Sequence, residues 1–165
     1  MPRTTASSVG LIVLVPGLAS AKGVSITLDE LYKHAEAVVI GEVAGVVIVD
    51  GHRYADIQVE QILKGEVEPT VRVIAESTWR CDVSNAVQAG ARVVLFLGKR
   101  DPKYLGAHAI EHAGRGYFPF VGREHVRLMS KDVELPSAIA DEVTRRDRKA
   151  LLTTDVFVRY LSTLD

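Results

Sequence analysis

Cys81 is the only cysteine among the 165 residues. That excludes an internal disulfide and any site built on a cysteine pair. Alone, it reads as a small buried hydrophobe. The sharper alternative is a reactive thiol or an intermolecular bridge, and no histidine joins it in a local motif. No apolar run reaches the roughly 20 residues that a membrane-spanning helix needs, so no membrane span is expected. A basic surplus is missing too: 20 Lys and Arg stand against 21 Asp and Glu, for a formal net charge of −1 and a pI of about 6.5. Nucleic-acid binders draw their affinity from counterion release by a basic surface, so no nucleic-acid partner is expected. The sequence also lacks a G-x-S-x-G elbow, a Walker loop and a dinucleotide fingerprint. No catalytic constellation and no cofactor are therefore expected, with one exception taken up below.

What is present begins with a leader-like segment. A polar stretch with one cation, Arg3, precedes the apolar run Leu11–Val15, and Ala19-Ser20-Ala21 follows with small residues at both A-x-A positions. This order is that of a secretory signal peptide over residues 1–21; the alternative is a buried strand. Cleavage near Ala21 would deliver residues 22–165 to the periplasm or the exterior as a single domain. Apolar residues make up 47% of the chain and charged residues 25%, which suits a globular core.

Thr27 and Glu30 form a capping-box pattern, with Leu28, Leu31, Tyr32 and Ala35 at helical spacing behind them. The β-branched run from Ala37 to Val49 predicts a long strand, bulged or bent at Gly41 and Gly45. Asp50-Gly51 signals a hairpin, and alternation from Arg53 to Leu63 predicts the returning strand. Further strands are expected at 70–75, at 92–97, where an unbroken apolar run points to a central position, and at 104–110. A closing hairpin is expected from 117–121 and 125–129. The C-terminal part changes period: a helix capped by Ser137 and including Ile139, Val143 and Arg146, then another from Thr153 or Thr154 with Phe157, Tyr160, Leu161 and Leu164 on one stripe. The sum is a mainly β domain, a small barrel of about five strands, with a short N-terminal helix and C-terminal helices (about 137–164).

The succession "AVVIGEVAGV", "ADIQVEQILKGE", "VRVIAEST", "WRCDV" and "AGARVVLFLGK" resembles the netrin-like modules, the group that includes tissue inhibitors of metalloproteinases, and more closely their small bacterial exported relatives. The matching positions are Gly41, Val43, Val59, Lys64, Gly65, Cys81, Gly90 and Val93 to Phe96, over residues 28–98. The resemblance implies an OB-type barrel that binds something on one face or in its loops. It does not extend to protease inhibition. The animal inhibitors need an N-terminal cysteine and several disulfides, whereas this mature chain would begin Lys22-Gly23.

Two sets of residues carry site expectations. The string His108-Ala-Ile-Glu111-His112 is a literal H-x-x-E-H, the zinc signature of the inverzincins. On a helix the two histidines would lie about 6 Å apart on one face and could share an ion. On a strand they would be about 13 Å apart and could not without a sharp bend. A third ligand would have to come from downstream, where Glu134 and Glu142 are available without a motif. A zinc-dependent hydrolase is thus the alternative to the main expectation, a non-enzymatic binding or protein-interaction module whose partner is an unknown protein or small ligand. For that module the candidate binding residues are Trp79, Cys81, Tyr117 and Phe118, although aromatics in a small barrel also serve as core. Finally, the basic cluster from Arg145 to Lys149 reads as a solvated helix face or as a docking patch for an acidic partner or lipid headgroup.

Overall fold

Thr27 caps the first helix as its capping box requires. The Glu30 amide donates to Thr27 Oγ1 at 3.1 Å, and the Thr27 amide donates to Glu30 Oε2 at 3.0 Å. This is seen in a computed structural model, which describes residues 25–76, 86–112, 114–129 and 131–165. The leader-like segment, Trp79 and Cys81 lie outside the described residues. Helix α1 (Leu28–His34) leads into β2 (Ala37–Val49), after a short β1 (Ile26–Thr27). The Asp50-Gly51 turn has both residues at positive φ (51° and 81°), as a two-residue hairpin turn demands. Then come β3 (His52–Lys64), β4 (Thr70–Ile74), β5 (Arg92–Asp101) and β6 (Ala107–Ile110).

These strands pair in the order β5-β2-β3-β4-β6, and β6 pairs back with β5, closing a five-stranded barrel. All the pairs are antiparallel except β4–β6, which is parallel through Val73 and His108. This is the OB-type connection expected from the sequence. Register shifts flank Gly41 and Gly45 in β2, so both strand glycines do mark bulges. At Gly41 a Cβ would meet the Gln58 carbonyl oxygen at 2.5 Å, which is why no larger residue fits there.

Strand β5 is buried on both faces, as its unbroken apolar run predicts. Val93, Leu95 and Leu97 point into the barrel with Val39, Val43, Ile57, Val71 and Val73. Val94 and Phe96 face a second core outside it, with Leu28, Leu31, Val38, Ile40, Phe118 and Phe157. The edge of β5 opposite β2 is shared. Its C-terminal half closes the barrel with β6, and its N-terminal half pairs with β7 (Tyr117–Val121), Val93 opposite Pro119. From β7 the sheet runs on through β8 (His125–Leu128), β11 (Lys149–Thr153) and β10 (Thr144–Arg146). Helix α3 (Thr154–Leu161) lies over this extension and buries Phe157 and Leu161. Its stripe is the one expected, with Tyr160 and Leu164 partly buried against the same core.

Lys64-Gly65 has a role the sequence conveyed only by resemblance. The Lys64 ammonium donates to the carbonyls of Tyr32 (2.6 Å), Ala35 (2.8 Å) and Lys33 (3.3 Å). It thus satisfies the C-terminal carbonyls that α1 leaves open and faces the negative end of the helix dipole. Gly65, at φ 72°, sits where a Cβ would strike the Glu36 carbonyl. The pair docks α1 on the barrel.

Three expectations are corrected. The strand at 104–110 is shorter, because Pro102–Tyr104 forms a 3-10 turn capped by Asp101 and Leu105 adopts φ 57°. The helix from Ser137 is a single turn, α2 (Ser137–Ala140), with Pro136 rather than Ser137 at its N-cap. Beyond it, Val143 is in a connection and Arg146 is on β10, so the basic cluster is a β-hairpin and not a helix face. Pairing of β11 with β8, Leu151 opposite Arg127, overrides the local helical preference. A small parallel pair of β1 with β9 (Val133–Glu134) was also not anticipated.

Candidate functional site

The H-x-x-E-H string does not form a helix. Residues 107–110 are strand β6, and Glu111 and His112 are a turn. His108 is buried, 6% exposed, and both its nitrogens are taken. Nδ1 lies 2.7 Å from the Gly98 carbonyl oxygen, which can only accept, so Nδ1 carries the proton. Nε2 accepts from Arg100 Nε at 3.2 Å. Glu111 packs over Gly98, where a Cβ would meet its Oε1 at 2.6 Å. His112, at φ 49°, turns toward α1 instead, its Nε2 3.2 Å from Nδ1 of His34. The two histidines of the string therefore serve different partners. Among the described residues, no group of three or more His, Cys, Asp or Glu side chains is arranged to hold a metal ion.

Of the four expected binding residues, two are core. Tyr117 is 3% exposed inside the barrel and Phe118 1% exposed in the outer core. Phe118 stands between Phe96 and Phe157 at ring-centre distances of 5.4 and 5.3 Å. Neither side chain is offered on the surface. Trp79 and Cys81 lie outside the described residues, but both flanks of their segment are anchored by Arg53. Its Nη1 donates to the Ala75 carbonyl at 2.5 Å and its Nη2 to the Val87 carbonyl. Glu76 accepts from the Arg53 amide at 2.7 Å and lies 2.5 Å from His52 Nδ1. The His52 contact, and after it the amide, hold the Glu76 carboxyl below the usual carboxylate range.

The outer wall of the barrel is charged but internally matched. Arg72 makes a two-point pair with Asp56 at 2.7 and 2.9 Å, and that hydrogen bonding lowers the Asp56 carboxyl. Arg92 pairs with Glu60 at 2.7 Å and Arg100 with Glu68 at 3.4 Å. Such pairs leave little net field for a ligand.

The C-terminal sheet is different. A cavity of about 530 Å³ opens beside β8, β10 and β11, and Arg127, Lys131, Arg145, Arg148 and Lys149 line it. Among the described residues no carboxylate lines it, and none of the five cations belongs to an ion pair. Leu128, Val133, Leu135 and Val143 add apolar walls to the cavity, while Lys131, Arg145 and Arg148 are exposed at its rim. The hairpin brings these residues to one end of the sheet, with Arg145, Ala150 and Leu128 on one face and Lys149 and Arg127 on the other. Arg145 and Lys149 come from its two strands, Arg127 from the neighbouring strand, and Arg148 from the turn. Asp147 and Arg148 sit at φ 50° and 62°, the two positive-φ positions of a two-residue hairpin turn, where glycine is the unstrained second residue. An arginine there costs conformational energy.

In the sequence Arg145, Arg148 and Lys149 stand out as a cluster, but they lie on a hairpin and not on the expected helix face, and nothing local marks Arg127 and Lys131 as their neighbours. The available signal was Asp147-Arg148 flanked by Thr144-Arg-Arg and Lys149-Ala-Leu-Leu, a hairpin with the turn glycine replaced. The chain matches no family model, and a search of curated proteins returned no match.

Proposed function

We propose that this chain is an exported, non-enzymatic binding module that holds a small, multiply charged anionic group in the cationic cavity of its C-terminal sheet. The observation that carries this reading is that five cations line one partly apolar cavity, none of them in an ion pair among the described residues and one of them kept at a strained turn position. Five like charges in one place repel each other, and a ligand of opposite charge relieves that repulsion. Each charge-assisted hydrogen bond from such a cavity contributes about 1.5–3 kcal/mol. The order of polar, apolar and small-residue segments in residues 1–21 supports export. The strand order of the barrel supports kinship with the netrin-like modules, in which the barrel is a scaffold for recognition; fold alone does not name the ligand.

The test is calorimetric titration with inorganic pyrophosphate at low ionic strength. Saturable binding is expected, weakening steeply as salt is raised, and lost in the double variant Arg127→Ala, Arg148→Ala. Absence of saturable binding, or binding that the double variant leaves unchanged, refutes the reading.

A further inference from the structure

The geometry points to a divalent transition-metal site shared by His34, the last residue of α1, and His112, in the turn after β6. This goes beyond the anion-binding reading and does not depend on it. The two residues are 78 positions apart in the chain, and nothing in their local sequence pairs them.

Two imidazoles bound to one tetrahedral zinc, at about 2.05 Å per Zn–N bond, hold their nitrogens about 3.3 Å apart and their ring centres about 5.2 Å apart. Here His34 Nδ1 and His112 Nε2 are 3.2 Å apart, and the ring centres 5.4 Å apart. The two nitrogens face each other, and an ion about 1.3 Å to one side of the line between them would lie about 2.05 Å from each, displacing the proton of the imidazole–imidazole hydrogen bond with a modest tilt of the rings. With an ion bound, His34 carries its proton on Nε2, leaving both facing nitrogens as lone-pair donors. Imidazole pairs suit Zn, Ni and Cu rather than Mg or Ca.

The surroundings are open and mixed in charge. His34 is exposed and His112 half-buried. Both line a cavity of about 520 Å³ with Asp101 and Glu111, and Lys99 and Arg100 lie on the same rim. Arg100 is already engaged by His108 and Glu68. Glu30, one helical turn before His34, has its carboxyl lowered by its hydrogen bonds with Thr27 first, with the charges of His34 and His112 adding to them. Since no third protein ligand is in place among the described residues, water completes the coordination. His112 thus does find an imidazole close enough to share an ion, on α1 rather than in its own motif.

The experiment is a zinc titration of the full chain, made without a histidine tag, against a chromophoric chelator at neutral pH. One zinc per chain is expected, with affinity reduced at least about ten-fold in His34→Ala and in His112→Ala. His108→Gln should leave the affinity unchanged. Circular dichroism keeps the comparison honest: both alanine variants remove surface rings and should keep the wild-type spectrum. Failure to bind zinc, binding that survives His34→Ala in a folded protein, or loss of zinc on His108→Gln overturns the proposal. Pyrophosphate binding by the same variants reports separately on the cationic cavity.

Discussion

Replacing Lys64 by methionine keeps the aliphatic stem and removes the ammonium that holds α1 to the barrel. Two of its three bonds, at 2.6 and 2.8 Å, end on part-buried carbonyls of Tyr32 and Ala35. The third, at 3.3 Å, is exposed. Hydrogen bonds to a charged group contribute about 1.5–3 kcal/mol each. A cation at a helix C-terminus adds about 0.3–1 kcal/mol. The exposed bond is discounted because water replaces it, and the variant regains the cost of desolvating the lysine. The remainder is a loss of about 2–3 kcal/mol, near the upper part of the usual range for single substitutions. For a chain of this size that lowers Tm by about 4–12 °C. The assay is paired urea and thermal unfolding followed by far-UV circular dichroism. Lys64→Arg should fall between the two proteins, since a planar guanidinium cannot aim three donors at carbonyls that converge on one point. A Lys64→Met protein within about 0.5 kcal/mol of wild type, the scatter of ordinary surface substitutions, would refute the claim that the lysine caps α1.

Arg148→Gly should stabilise the fold by about 0.5–1 kcal/mol, because glycine meets φ 62° without strain, while weakening pyrophosphate binding; a melt and a titration on one sample check both signs. Phe157→Ala removes a fully buried ring packed at a tilt against Phe118, 5.3 Å between ring centres, and should cost about 3–5 kcal/mol by denaturant unfolding. High pH should loosen the junction of α1 and α3. Burial, then the hydrogen bond with Asp165, raises Tyr32 from 10.0 to about 12, and burial, then Asp29, does the same for Tyr160. The protonated phenols belong to the fold, so their contribution is full below pH 10 and is lost as pH rises from 10 through about 12. Melts across that window should show the loss, and Tyr32→Phe with Tyr160→Phe should flatten it.

What the sequence determined by itself was whatever rests on neighbours along the chain. The capping box of Thr27 and Glu30 needs only residues three apart. The Asp50-Gly51 hairpin needs two residues that tolerate positive φ. The double burial of β5 is written in an unbroken run from Val93 to Leu97, and the stripe of α3 in its 3.6-residue period. Together they implied a mainly β chain with a small barrel. The tertiary structure decided what depends on who sits opposite whom. The basic cluster from Arg145 to Lys149 reads locally as a helix face, and it is pairing of Thr144–Arg146 with Lys149–Leu151, and of that strand with β8, that makes it a hairpin. That hairpin, not composition, brings Arg145, Arg148 and Lys149 beside Arg127 and Lys131 around one cavity in a chain of net charge −1. Tyr117 and Phe118 went inside because β7 pairs with β5, a contact no local window contains. His108 and His112 are neighbours in the motif but not in function, since a strand running into a turn sends the first ring to Gly98 and Arg100 and the second to His34.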